Sequence, residues 1–394
     1  MENRQTGKGD KGGALGIIRV AYLFNHSFFL GGGEISFLEL IRSVDRRRID
    51  PVALVPEEGE IAVQLRSFGI TVRSCSIPSL RRMPKGAPFG SLFRLVRIIR
   101  GSGVHFLHVN GSRACLYGGL AGRMLGIPVI WHVRETIRDI FFYDGFLALL
   151  AGIIVCVSRG VQVTRFGRFG NRIKNRTVVV YNGVDTRKFK RNQIARQRFR
   201  EKLGVKDEIL FGIVGSILPL KGQDFFLKGL IRAIQRKPGL PVKVLIIGRT
   251  VDLAYYAMIR RLVSDMGLDG HVHFRDFYEN IRNVFSGLDV FVLPSSREGF
   301  SRSLLEAMSV GLPVLASRIG EIEEAVTDAI NAILVDFNDL EGMASAIIKL
   351  TEDARLRSRL AEKNRKRAME NFDLQSHARS IEGVYSKLLS GGGP

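Results

Sequence analysis

The chain reads as an α/β protein of two domains, each a doubly wound parallel sheet, facing one another across a cleft. Three observations predict this. Short apolar, β-branched runs alternate with amphipathic stretches along nearly the whole sequence, which is the rhythm of repeated βα units. At 394 residues the chain is long enough for two cores. Polar, glycine-containing turns recur where strands end, and nothing that signals a membrane span, a repeat or a coiled coil competes with them.

The first strand is Ile17 to Phe24. After it, Gly31-Gly32-Gly33-Glu34 opens a helix whose Phe37, Leu38, Leu40 and Ile41 share one face. A glycine turn between strand and helix is compatible with phosphate. It is not the dinucleotide fingerprint, which needs G-x-G-x-x-G and an acidic residue ending the next strand, here Val52 to Val55. Ile61 to Phe68 reads as helix and Ile70 to Arg73 as extended. Pro78 to Pro88 is a basic loop with Arg81, Arg82 and Lys85, and Leu92 to Arg100 is a basic amphipathic helix. Loop and helix together have the form of a membrane-surface contact, or of an ordinary solvated face. Strands follow at Val104 to Val109, Pro128 to Glu135, Ile153 to Ser158 and Val178 to Tyr181, with a helix through Gly118 to Leu125. His132 and Arg134, two apart, face the same side of their strand near its carboxyl end. Asn182-Gly183-Val184-Asp185 is a turn. The charged, apolar-poor run Arg187 to Arg200 marks the boundary between the domains.

The second half repeats the pattern, with strands at Ile209 to Val214, Lys243 to Ile247, Val272 to Phe274, Asp289 to Leu293 and Leu312 to Ala316. The predicted division is a disordered tail at 1–16, domains at 17–187 and 188–371, and a C-terminal segment at 372–394. That last segment is a helix free to pack back on the first domain, followed by a flexible tail.

The most informative stretch is Ser296 to Glu306. A buried strand precedes it and a helix over Leu304 to Val310 follows it, so Glu298-Gly299-Phe300-Ser301 falls at the carboxyl edge of a parallel sheet, where ligands bind. The helix start offers unpaired N–H groups and positive dipole to a phosphate, and Gly299 would let backbone approach a ligand closely. Glu298 and Glu306 bracket this cradle. Carboxylates are acceptors suited to sugar or ribose hydroxyls. Ser303 and Glu306 equally fit a capping box, which needs no ligand. Spacing alone leaves both readings open.

Net charge is +21, of which residues 1–190 carry +16, with no acidic residue between Ile61 and Arg134. Such a field attracts anionic membranes, nucleic acid or phosphorylated acceptors. Cys75, Cys115 and Cys156 form neither a disulfide framework nor a metal pattern, which fits a reducing cytosol. Met1 to Gly16 has no apolar core of a signal peptide.

From Ile17 to about Leu388 the chain resembles retaining glycosyltransferases of the GT-B fold, with two facing Rossmann-like domains, in the large family that carries an E-x7-E signature (glycosyltransferase family 4, group 1-like). Glu298 to Glu306 matches the signature and Ala307-Met-Ser-Val-Gly-Leu-Pro-Val314 continues it. Asp289 to Ser295, Tyr181 to Asp185, Lys188-Phe189, Lys221-Gly222 and Gly31 to Glu34 match as well.

The resemblance implies sugar transfer from a nucleoside diphosphate sugar, with retention, in cell-surface polysaccharide or glycolipid synthesis. Gly215, Ser216, Lys221, Gly248, Glu298, Gly299, Phe300, Ser301 and Glu306 would bind the donor. In particular Glu306 would hold the ribose, Glu298 the sugar, and the Phe300 and Ser301 N–H groups the diphosphate. Lys221 would neutralise the leaving group. Glu298, Lys221, His132 and Arg134 are the catalytic candidates, and Gly31, Gly32, Gly33, Arg81, Arg82 and Lys85 lie on the acceptor side.

No cofactor or metal is expected, since no Asp-x-Asp pair occurs. The expected partners are the nucleotide-sugar donor, a saccharide or lipid-linked acceptor and an anionic membrane surface, and not nucleic acid. The expected place is the cytoplasm, peripheral to the inner face of the membrane. The chain departs from the family pattern at Ser216, where Arg is usual, and at Gly320 to Glu324. Ala329 and Ala332 replace glycines, and Arg134 aligns with the family's sugar-side histidine. An epimerase or hydrolase of the same architecture, or a non-catalytic basic nucleic-acid-binding protein, are the alternatives.

Overall fold

The computed structural model describes residues 17–79, 87–136, 141–276 and 280–389. The first half contains β1 (Ile18–Leu23), α1 (Gly32–Ser43), β2 (Ile49–Val55), α2 (Glu60–Ser67), β3 (Thr71–Ser74), α3 (Ala87–Ser102) and β4 (Phe106–Asn110). It continues with α4 (Ser112–Leu125), β5 (Val129–Val133), α5 (Phe141–Leu150), β6 (Ile153–Cys156), α6 (Arg159–Phe166), α7 (Asn171–Lys174) and β7 (Thr177–Val179). The second half contains α8 (Gln193–Leu203), β8 (Ile209–Val214), α9 (Gln223–Arg236), β9 (Val242–Ile247), α10 (Leu253–Asp265), β10 (Val272–Arg275), α11 (Ile281–Gly287) and β11 (Val290–Leu293). After these come α12 (Arg302–Val310), β12 (Val314–Ser317), α13 (Gly320–Glu323), β13 (Ala332–Val335), α14 (Leu340–Glu352), α15 (Ala354–Asn371) and α16 (Leu374–Leu389).

Among the described residues the strands form two sheets, ordered β3-β2-β1-β4-β5-β6-β7 and β10-β9-β8-β11-β12-β13. All the pairings within them are parallel. Helices cover both faces, which is why the central strands read as unbroken apolar runs instead of alternating ones. The order reverses between β1 and β4 and between β8 and β11. These switch points open a crevice at the carboxyl ends of the strands, and the crevice is where such sheets bind ligands.

Two departures from the sequence reading have simple causes. The basic helix begins at Ala87, five residues before the expected Leu92, because Pro88 sits in its first turn, where a missing N–H costs nothing. The charged run after Arg187 is a helix from Gln193, α8. Its Arg196 and Arg200 clasp Asp289 at 2.6 and 2.8 Å, and Phe199 is buried beneath them. Its low apolar content therefore hid an ordered element.

The last helix, α16, returns to the first half. Ala378, Ile381, Val384 and Tyr385 join the cluster made by Val20, Tyr22, Phe24 and Phe37. The three cysteines are free and buried.

Candidate active site

A cleft of about 2160 Å³ lies between the two switch points. Its first wall includes Asn25, Gly31, Gly32, Gly33, Asn110 and Arg134; its second includes Gly215, Ser216, Lys221, Gly248, Glu298 and Ser301 to Ser303 with Glu306. Donor-side and acceptor-side candidates thus line one space, apart from Arg81, Arg82 and Lys85, which lie outside the described residues.

Two carboxylate–cation pairs flank the start of α12. Lys221 Nζ donates to Glu298 Oε1 at 2.7 Å, and Ser295 Oγ donates to the same oxygen at 2.7 Å. Arg302 Nε donates to Glu306 Oε1 at 2.6 Å. In both glutamates Oε2 has no protein donor among the described residues, so each keeps an acceptor for a ligand hydroxyl. Burial pushes the Glu306 carboxyl up, and Arg302 beside it opposes the shift. Lys221 closes a short 3₁₀ turn. Gly222 after it has φ 63°, and a Cβ there would lie 2.0 Å from the Pro294 carbonyl, so only glycine permits this packing against the end of β11.

The capping box is not formed. Ser301, not Ser303, is the N-cap, its hydroxyl accepting from Leu304 N at 3.4 Å, while the Glu306 carboxylate turns to Arg302. Helix α12 starts two residues earlier than the spacing indicates, which moves the cap.

Gly299 also has a different reason for being glycine. A Cβ there would stand 2.0 Å from the Arg134 carbonyl oxygen. The close approach it permits is between the two halves of the chain. Ser158 Oγ donates to Gly299 O at 2.9 Å and Asn182 Nδ2 donates to Phe300 O at 3.1 Å, riveting the same loop to the first half. The Phe300 ring is buried and stacks on Tyr181 with centroids 4.9 Å apart, so it is the backbone and not the ring that faces the cleft. A second rivet joins α6 to the loop after α13. Both Glu324 carboxylate oxygens accept at 2.8 Å from Arg159 N and Gly160 N, the first turn of α6, where an anion is favoured.

His132 and Arg134 share a side of their strand, as their spacing requires, but only Arg134 reaches the cleft. The His132 assignment to substrate is corrected by its surroundings. The ring is fully buried, parallel to that of His108, with Nδ1 3.1 Å from His108 Nε2. Burial and Arg134 push both histidines well below the usual imidazole range. The long arginine extends past them, and the shorter histidine stays inside.

Ser216 is too short and carries no charge to grip a phosphate as an arginine would. Arg249 lines the cleft nearby and brings that charge, whereas Arg297 is exposed and outside it. Sequence reasoning missed Arg302, Asn110 and Asn182. Arg302 was findable as the i−4 partner of Glu306, and Asn110 as a polar residue ending an apolar strand.

Comparison with known proteins assigns both halves. Residues 30–188 match the model of Glycosyltransferase Family 4, and residues 195–367 match that of Glycosyl transferases group 1. An Escherichia coli UDP-Gal:alpha-D-GlcNAc-diphosphoundecaprenol alpha-1,3-galactosyltransferase is 24% identical over 90% of this chain and 96% of its own. The lipopolysaccharide core mannosyltransferase LpsB of Rhizobium meliloti is 28% identical, covering 54% of this chain and 61% of its own. Among solved structures, Anabaena HepE in complex with UDP and glucose superposes with a TM-score of 0.82 at 20% identity, over 93% of this chain and 99% of that one. At that identity the likeness is one of fold.

Proposed function

This chain belongs to glycosyltransferase family 4 of the group 1, GT-B type, and we propose that it transfers a hexosyl residue, with retention and without a metal ion, to a saccharide or lipid-linked acceptor. The observation that carries this reading is the pair of half-satisfied carboxylates, Glu298 and Glu306, on either side of an N-terminal helix turn that Lys221 overlooks. Glu306 Oε2 would accept from ribose hydroxyls and Glu298 Oε2 from the sugar. The diphosphate would rest between them on the N–H groups that open α12.

Negative charge grows on the diphosphate as the sugar–phosphate bond breaks. Lys221, already within 2.7 Å of Glu298, would follow that charge and stabilise the transition state more than the ground state. A fixed ammonium and a helix terminus do for the leaving group what a divalent cation does elsewhere. The acceptor would enter on the face the diphosphate leaves, its proton passing to the departing phosphate.

The relatives' names supply the acceptor class, since one acts on a diphosphoundecaprenol-linked sugar and another in lipopolysaccharide core synthesis. The setting would be the cytoplasmic face of a membrane. No helix among the described residues is long and apolar enough to cross one. Helices α3, α4 and α5 lie side by side, however, and expose Phe89, Phe93, Met124, Phe142, Phe146 and Leu149 beside Arg94, Arg97 and Arg100. Apolar side chains amid arginines suit an anionic bilayer surface.

A thermal-shift panel of UDP-, GDP- and ADP-sugars tests the donor half of the reading. One base should raise the melting temperature selectively by mass action. No shift with any of them at millimolar concentration would overturn it.

A further inference from the structure

We propose that Arg134 is an anion-binding site at the sugar end of the cleft, filled by a negatively charged group of the transferred sugar or of the acceptor and not by the donor diphosphate. The inference rests on the glycosyl-transfer reading above and deepens it.

Arg134 lines the cleft but is held entirely by neutral acceptors. Its Nε donates to Asn110 Oδ1 at 2.8 Å and its Nη1 to Asn182 Oδ1 at 2.5 Å, and Nη2 lies 3.4 Å from His132 Nδ1. The guanidinium also sits 5.8 Å from the centroid of the Phe37 ring. Three of its N–H groups are thereby engaged, and a guanidinium has five. No carboxylate comes within 4.0 Å of it among the described residues, whereas Arg165, Arg196, Arg200 and Arg302 each have one. Glu34 is felt only at longer range, and Arg302 opposes it.

The layer beneath offers no counter-charge. His108, His132 and His377 are buried there and kept neutral. Arg134 is a half-buried cation on the cleft wall with two N–H groups left over and no anion beside it, an arrangement that an anionic ligand would complete. Arginine in place of lysine gives that ligand a planar fork suited to a carboxylate or phosphate.

Lys221, Arg249 and the start of α12 belong to the second half of the chain. Arg134 lies along the glycine turn of the first, where a Cβ on Gly33 would meet its Cδ at 3.5 Å. Arg134 thus faces the candidate phosphate contacts from the first wall, and its carbonyl touches the Gly299 loop, so binding of the bare nucleotide is the control that tells a sugar or acceptor anion from the diphosphate. Two sources share the chemistry, a hexuronate carboxylate on the donor sugar and a phosphate on the acceptor.

The experiment uses the full chain and the nucleoside diphosphate that it binds best. Calorimetry compares that nucleotide alone, its neutral hexose derivative and its hexuronate derivative. In a second arm, N-acetylglucosamine and its 1-phosphate are titrated into the nucleotide-bound protein. Wild type should favour the charged member of one arm by about tenfold, the worth of one charge-assisted contact, and the arm that responds identifies the source. Arg134→Gln should erase the preference and leave affinity for the bare nucleotide within about twofold, while Arg134→Lys should keep part of it. Neutral and charged probes binding equally in both arms would overturn the proposal. So would Arg134→Gln or Arg134→Lys weakening the bare nucleotide as much as the charged probe. If Arg134→Gln does not fold, the Arg134→Lys comparison decides. Failure of every nucleotide to bind would strike the glycosyl-transfer reading itself, a distinguishable outcome.

Discussion

Gly299→Ala is a single methyl placed where the two halves of the chain touch. The new Cβ would lie 2.0 Å from Arg134 O and 3.1 Å from its carbonyl carbon. Both obstacles are backbone and neither can rotate aside. To reach the roughly 3 Å below which such contacts are essentially never seen, the loop and the strand end must separate by about 1 Å. That opening would strain the Ser158–Gly299 and Asn182–Phe300 hydrogen bonds, now 2.9 and 3.1 Å, and shift Glu298 relative to the first wall. A displacement of about 1 Å between reacting groups costs on the order of 100-fold in turnover. The groups proposed to hold the nucleotide sit on the second wall and would move together, so nucleotide affinity should change by no more than about twofold. Steady-state transfer assays combined with calorimetry of the nucleoside diphosphate separate the two quantities. If nucleotide affinity falls in step with turnover, Gly299 serves the ligand and not the contact between halves, and the reasoning is refuted.

Other parts of the fold make three smaller predictions. Arg302→Ala frees the Glu306 carboxylate from its 2.6 Å partner in a buried setting that already raises its pKa. Its pKa should rise further, so nucleotide affinity should fall as pH drops over a window shifted upward from wild type, which calorimetry at several pH values would reveal. His377 is buried and its pKa is pushed down to about 3 by burial, with Arg134 adding to the shift. The unfolded chain takes up a proton near pH 6.5 that the folded chain refuses, so stability falls as pH drops below that value, by about 1.4 kcal/mol at pH 5.5 from this residue. Urea unfolding of His377→Leu should show a pH slope shallower by about one proton; an unchanged slope contradicts the assignment. Ala329 has φ 57°, a left-handed conformation that costs an alanine roughly 1–2 kcal/mol. Ala329→Gly should be neutral to about 1 kcal/mol stabilising in the same assay, after glycine's own entropy cost.

Much of this architecture was legible because parallel strands covered on both faces have a plain signature. Ile209 to Val214 and Val290 to Leu293 are apolar end to end, and the turns after them carry Gly215 and Glu298. What stayed hidden depended on contacts between distant residues. Nothing local to Gly299 tells that Arg134 O will sit against it. The spacing of Ser303 and Glu306 fits a capping box equally well until the helix start at Arg302 is known. His132 and Arg134 are indistinguishable by strand periodicity, and only side-chain length and the stacked His108 sort them. The charge of the run after Arg187 reads as solvent-facing, because its partner, Asp289, lies about ninety residues away.

The central claim is a metal-independent transfer that keeps the anomeric configuration of the donor. Proton NMR of the product, formed from an α-configured nucleotide sugar in excess chelator, tests it most directly. The account predicts an α-linked product, with a rate unaffected by the chelator. A β-linked product, or a rate abolished by chelator and restored by a divalent cation, would contradict it.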